Sequence, residues 1–282
     1  MLYLMLAIIS SALISLLMRW SEKYSKSNLA MLAMNYLMCC LMAGVFSGDQ
    51  GLFPREAEGL GITLILGVIG GAVYLAAFLM MQWNIAKSGV LLSSTFMKLG
   101  ILVPTILSVL IFMDAAGPLK WAGVFVAAAA IVIMNGGGKL EWRHAGGLLL
   151  LLLCGGCADF MSKLFDELAP ADLKGPFLFY IFATALILCL IFCLLKGQKP
   201  GVGDVLFGLA IGIPNYFSSH FFLTALETVP PMAAFPSFSV GTVLLVAPAG
   251  ILLFGEKLNR RKIISLVLIL ASLVLLNLKM NG

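Results

Sequence analysis

The chain has 282 residues, 61% of them hydrophobic and only 11% charged. Soluble domains carry about a quarter of their residues charged, so a water-surrounded globule is excluded and the lipid bilayer becomes the solvent. The net charge of +5 comes from 18 Lys or Arg against 13 Asp or Glu; the basic residues sit in short connectors between apolar runs, which excludes a nucleic-acid partner and names lipid as the first partner.

Apolar stretches of about 17–25 residues, the length a bilayer needs, predict ten helices near 2–18, 29–47, 60–82, 90–112, 119–136, 145–163, 176–195, 203–224, 232–254 and 261–279. The first run meets its first positive charge, Arg19, only after its apolar part. That order is the reverse of a secretory signal, so no cleavable signal peptide is expected. The connectors are short and polar, such as Ser47–Gly51, Gly136–Lys139 and Lys196–Pro200, and leave no room for a soluble domain. Cys39, Cys40, Cys154, Cys157, Cys189 and Cys193 all lie in apolar runs and read as small packing residues. Cys154-x-x-Cys157 has no ligand partner nearby, so neither a metal nor a cofactor is expected.

The chain repeats itself. Gly67-x-x-x-Gly71 in the third helix recurs 141 residues later as Gly208-x-x-x-Gly212 in the eighth, and Gly100 falls on Gly241. The register then slips to 142, where Phe112, Asp114, Lys120 and Asn135 fall on Phe254, Glu256, Lys262 and Asn277. An odd number of spans per copy turns the second copy upside down. The expected fold is therefore an all-α integral membrane protein, with ten transmembrane helices in two inverted five-helix repeats over residues 1–138 and 139–282.

Phe254-Gly255-Glu256-Lys257-Leu258, followed by Arg260-Arg261-Lys262-Ile263-Ile264 and an apolar last helix, resembles the repeat ending of the drug/metabolite transporter superfamily, EamA-like branch. Phe112-Met113-Asp114 with Lys120-Trp121-Ala122-Gly123 is its weaker twin, and Pro104 suits the same pattern. The resemblance implies a central substrate site, alternating access, and carriage of small metabolites or drugs. Met18-Arg19-Trp20-Ser21-Glu22-Lys23-Tyr24 is also similar to the end of the first helix in the small multidrug resistance family. That family couples export to protons through a Glu earlier in the helix. Ser11 stands at that place here and Gly155 at the corresponding place of the sixth helix, so that coupling is not implied. A bacterial inner membrane is the expected location. The positive-inside rule places both termini outside, because the connectors following odd-numbered helices hold 12 positive residues against five on the other side; the family resemblance implies cytoplasmic termini.

An ionisable group deep in a span costs about 2.5–3.5 kcal/mol on insertion scales, so each is a candidate for function. Lys98 lies near the middle of the fourth helix. Its ammonium suits a carboxylate or phosphate, although snorkelling to an interface is the structural alternative. The superfamily's nucleotide-sugar and triose-phosphate branches use basic groups in the fourth and ninth helices; here Ser239 holds the repeat-related place. Asp159 in the sixth helix is a candidate coupling carboxylate, or the partner of Lys163 one turn on. His220, at the same depth in the eighth helix, could complete a proton relay with it. Tyr74, Asn84, Asn215, Tyr216, Ser237 and Ser239 offer donors and aromatic faces for a small solute, with Tyr74 and Tyr216 as the aromatic wall. Pro104, Pro214, Pro236 and Pro248 remove backbone donors in mid-span and would free carbonyls such as those of Gly100 and Ala210 toward a cavity. The paired glycines read as close-contact seams between helices.

No G-x-x-x-x-G-K-[ST] loop occurs, so gradients or exchange must supply the energy. The leading expectation is a secondary active transporter, not an enzyme, moving a small anionic or zwitterionic metabolite with a proton or counter-solute as coupling partner. The alternatives are a proton-coupled exporter of drugs or lipophilic cations and a non-transporting membrane scaffold.

Overall fold

The computed structural model describes residues 1–46, 51–52, 57–111, 118–135, 139–229, 231–256 and 260–277. Its helices are α1 (Leu2–Ser21), α2 (Asn28–Val45), α3 (Leu60–Ser88), α4 (Val90–Leu99), α5 (Leu102–Ile111), α6 (Pro118–Asn135), α7 (Lys139–Leu168), α8 (Lys174–Leu195), α9 (Val202–Leu226), α10 (Pro231–Phe254) and α11 (Arg260–Asn277). With α4 and α5 counted as one broken span, these are the ten apolar runs of the sequence. Seven of the described helices are long and apolar enough on their own to cross a bilayer.

Local chemistry sets the helix ends. Ser27 caps α2 by accepting the Ala30 N–H at 3.2 Å. Proline opens α6 and α10, where a missing N–H costs nothing. Gly89, with φ +86°, separates α3 from α4.

Two boundaries differ from the sequence reading. The fourth span breaks, because Pro104 has no N–H to give the Gly100 carbonyl. That carbonyl is not left free, as the proline argument expected; the Val103 N–H takes it at 2.8 Å, in a tightened turn that also holds Gly100 N–H to Met97 O at 3.1 Å. The break lies against α7, where a Cβ on Gly156 would come within 2.3 Å of the Gly100 carbonyl. Residues from Lys139 onward, expected in the linker, instead begin α7. Pro214 lies inside an unbroken α9, and α10 runs continuously past Pro236 and Pro248. Phe112, Met113, Asp114, Lys257 and Leu258 of the repeat endings lie outside the described residues.

Helices of the first half pack chiefly on helices of the second. α1 lies against α9 and α10, α2 against α8 and α9, α3 against α7 and α8, α4 against α7 and α10, and α6 against α11. The glycine pairs make two of these contacts possible. A Cβ on Gly71 would stand 2.5 Å from the Ile181 carbonyl of α8, and one on Gly208 would stand 2.4 Å from the Met31 carbonyl of α2. Such backbone-to-backbone approach needs the smallest residue, which is the seam role the spacing suggested.

Candidate functional site

The crossing helices leave a central chamber lined by α1, α3, α4, α7, α9 and α10. α1 contributes Ser11, Ile14, Ser15 and Met18, and α7 contributes Gly155, Ala158, Asp159 and Ser162. α3 presents Tyr74, Ala77, Phe78 and Met81, while α9 presents Asn215, Ser218, Ser219 and Phe222. Ser94, Met97 and Lys98 come from α4 and Phe238 from α10. Serines and an asparagine share the wall with aromatic and thioether groups, the mixture that suits an amphipathic small molecule.

Lys98 is 8% exposed, and its Nζ stands 3.7 Å over the Phe238 ring. Its stem therefore does not snorkel to an interface. The neighbouring hydroxyls of α4 are occupied by their own helix: Ser93 donates to Gly89 O and Thr95 to Leu91 O, each at 2.7 Å. That leaves the Lys98 ammonium as the strong donor of this wall. The charge facing it is Asp159, and the two interact electrostatically. Lys163, the expected partner of Asp159, acts on Asp166. Tyr74, Ser162 and Ser219, from three helices, line the same chamber. Asn215 donates from Nδ2 to Asn35 Oδ1 at 3.1 Å, so a group at the chamber edge is braced by α2 behind it.

Lys98, Asp159, Tyr74 and Asn215 thus meet in one cavity, and the remaining candidates lie elsewhere. Asn84 is turned to backbone, donating to Met80 O at 2.8 Å and Gly147 O at 3.0 Å, which locks α3 to α7. Tyr216 is fully buried away from the chamber, among Phe46, Phe182, Phe217 and His220. The aromatic wall is Tyr74 with Phe78, Phe222 and Phe238 instead. His220 stacks on Tyr216 with Nδ1 3.4 Å from its hydroxyl, and does not line the chamber with Asp159. Ser237 and Ser239 are also outside the lining, because α10 turns Phe238 inward between them. Ser15, Ser162, Ser218 and Ser219 were missed, since isolated serines in an apolar helix carry no sign of which face they occupy.

Residues 145–278 match the model of the EamA-like transporter family. A Haemophilus influenzae protein described only as an uncharacterized protein is 23% identical over 96% of this chain and 95% of its own length. A crystal structure at 13% sequence identity superposes with a TM-score of 0.67 over 97% of this chain and 95% of the other. That likeness is one of fold.

Proposed function

We propose that the chain, whose residues 145–278 match the EamA-like transporter family, is a secondary transporter carrying a small zwitterionic or anionic metabolite by alternating access. The family match supports a multi-pass membrane transporter of the drug/metabolite type. A bacterial inner membrane is the proposed location.

The observation that carries the reading is the make-up of the chamber wall. Ser11, Ile14, Ser15 and Met18 of α1 and Gly155, Ala158, Asp159 and Ser162 of α7 are the same four positions, 144 residues apart. Tyr74, Ala77, Phe78 and Met81 of α3 match Asn215, Ser218, Ser219 and Phe222 of α9 at an offset of 141, as Met97 matches Phe238. The helix contacts exchange in the same way: α1 on α9 corresponds to α7 on α3, and α2 on α9 to α8 on α3. This supports two inverted five-helix repeats, 1–138 and 139–282, enclosing one site that either half can uncover.

The charges break the symmetry. Lys98 corresponds in the repeat to Ser239, and Asp159 to Ser15, so each half supplies one charge of opposite sign. A zwitterion satisfies both, with its anionic group on Lys98 and its cationic group on Asp159; a purely anionic solute leaves Asp159 opposed to it. Asp159, with the Phe78, Phe222 and Phe238 faces, also favours a second reading, proton-coupled export of a lipophilic cation, which must then tolerate Lys98 nearby.

The test is ligand-dependent stabilisation of the purified protein against anions, cations, zwitterions and sugar phosphates, since binding only the folded form raises apparent stability. A zwitterion should raise the melting temperature of the wild type, with the shift lost in both Lys98→Met and Asp159→Asn. Stabilisation by lipophilic cations that survives in Lys98→Met points to the exporter, and no stabilisation by any class points to a scaffold.

A further inference from the structure

Beyond the chamber, at the end where α1 and α3 finish and α4 begins, a second polar cluster joins the two halves. Glu256 follows α10, and its carboxylate accepts the first backbone N–H groups of α4: Val90 to Oε1 at 2.6 Å and Leu91 to Oε2 at 3.0 Å. The approach depends on Gly89, where a Cβ would stand 2.5 Å from Glu256 Oε1. Arg19, at the end of α1, pairs with Glu22, donates to the Ile85 carbonyl at 3.3 Å and lies 4.0 Å from Glu256. Gly250 of α10 closes the same contact, its Cβ position 3.5 Å from Val90 Cγ1.

Three of these groups lie within one helical turn of a residue lining the chamber: Arg19 follows Met18, Ile85 is one turn past Met81, and Val90 is one turn before Ser94. Met18 and Met81, beneath the cluster, are 1% and 2% exposed. Asp159 and Ser219, toward the opposite end, are half-buried. The chamber is closed on the Glu256 side.

The geometry points to Glu256 as the clasp of the gate on this side: its carboxylate holds the ends of α4 and α10 together while the chamber faces the other way, and must release the α4 amides for the chamber to open here. Charge-assisted bonds to a helix N-terminus suit such a latch, because they are strong when made and, at an interface, replaceable by water when broken. Arg19 steadies the carboxylate from the α1 side. Glu256 is a positioning residue and does not touch the solute. The inference rests on the alternating-access reading.

The test is labelling by a membrane-impermeant maleimide from each side of vesicles, using Met18→Cys as reporter for the clasped side and Ser219→Cys for the other, with the parent protein's labelling subtracted. In Glu256→Gln and Glu256→Ala, Met18→Cys should label about tenfold faster and Ser219→Cys correspondingly slower, as a shifted two-state equilibrium requires. A Val90→Cys/Gly250→Cys disulfide should hold Met18→Cys unreactive and leave Ser219→Cys open. Unchanged Met18→Cys labelling in Glu256→Gln, in protein whose melting temperature matches wild type, would show a simple helix cap and overturn the gate. Labelling of Met18→Cys undiminished by the disulfide would overturn it independently of how Glu256 variants fold. Faster Met18→Cys labelling with no slowing at Ser219→Cys keeps the clasp but sinks alternating access.

Discussion

Single side chains in this protein owe their properties to what they are denied. Lys98 is buried and Asp159 half-buried in the same chamber, and charges so placed contribute little net stability because desolvation offsets attraction. Two such charges in one solute-sized chamber are better explained by recognition than by folding. Glu22 shows the same physics outside the spans. Burial lifts its carboxyl above the ordinary value near 4.5, with Arg19 pulling the other way, and its Oε1 is buried without a partner. A carboxyl whose folded pKa exceeds its unfolded one binds its proton more tightly in the fold, so its contribution to stability falls as pH rises from 4.5 through the raised value. Glu22→Gln should therefore melt with wild type near pH 4 and above it at pH 7, read by melting curves across that range. A wild type more stable than Glu22→Gln at pH 7 would mean that the Arg19 pair outweighs burial.

At the scale of helices, close approach is the governing demand, and it was the most legible part of the sequence. The spacing of Gly67 and Gly71 and its recurrence at Gly208 and Gly212 pointed to seams, and both pairs do face backbone or Cβ atoms of a neighbouring helix. Gly71→Ala and Gly208→Ala should each cost roughly 1–3 kcal/mol, the usual penalty for overpacking, because the opposing atoms are carbonyls that cannot turn aside. Gly146→Ala, with no atom within 4 Å of its Cβ position, should be neutral in the same thermal assay; equal losses at all three sites would refute the seam account. Pro104 was legible as a disturbance, but its outcome was not. Whether a freed carbonyl faces a cavity or is retaken by a tightened turn depends on the neighbouring Gly156, which only packing reveals. Asn84 and Tyr216 failed as lining candidates for a related reason: polarity says that a group needs a partner, not whether that partner is a solute or a backbone carbonyl. The face of a helix is set by its neighbours, and α3 turns Tyr74 and Met81 inward while Asn84 meets α7.

For the whole molecule, the charged pair was legible because ionisable residues in apolar runs are rare, and the ten spans because the bilayer fixes their length. The match between the two halves of the wall emerged only when the lining was known, since Ser15 and Asp159 or Tyr74 and Asn215 share a position and no chemistry. Alternating access requires the two halves to take turns exposing this one chamber. Counterflow in proteoliposomes tests it directly: the protein is loaded with an excess of the unlabelled zwitterion that stabilises it, and entry of the radiolabelled form is followed after dilution. Alternating access predicts a transient accumulation of label above equilibrium that depends on the internal solute and disappears in Lys98→Met. Entry at the same rate with empty vesicles, levelling at equilibrium without overshoot, would contradict it and describe an open pore.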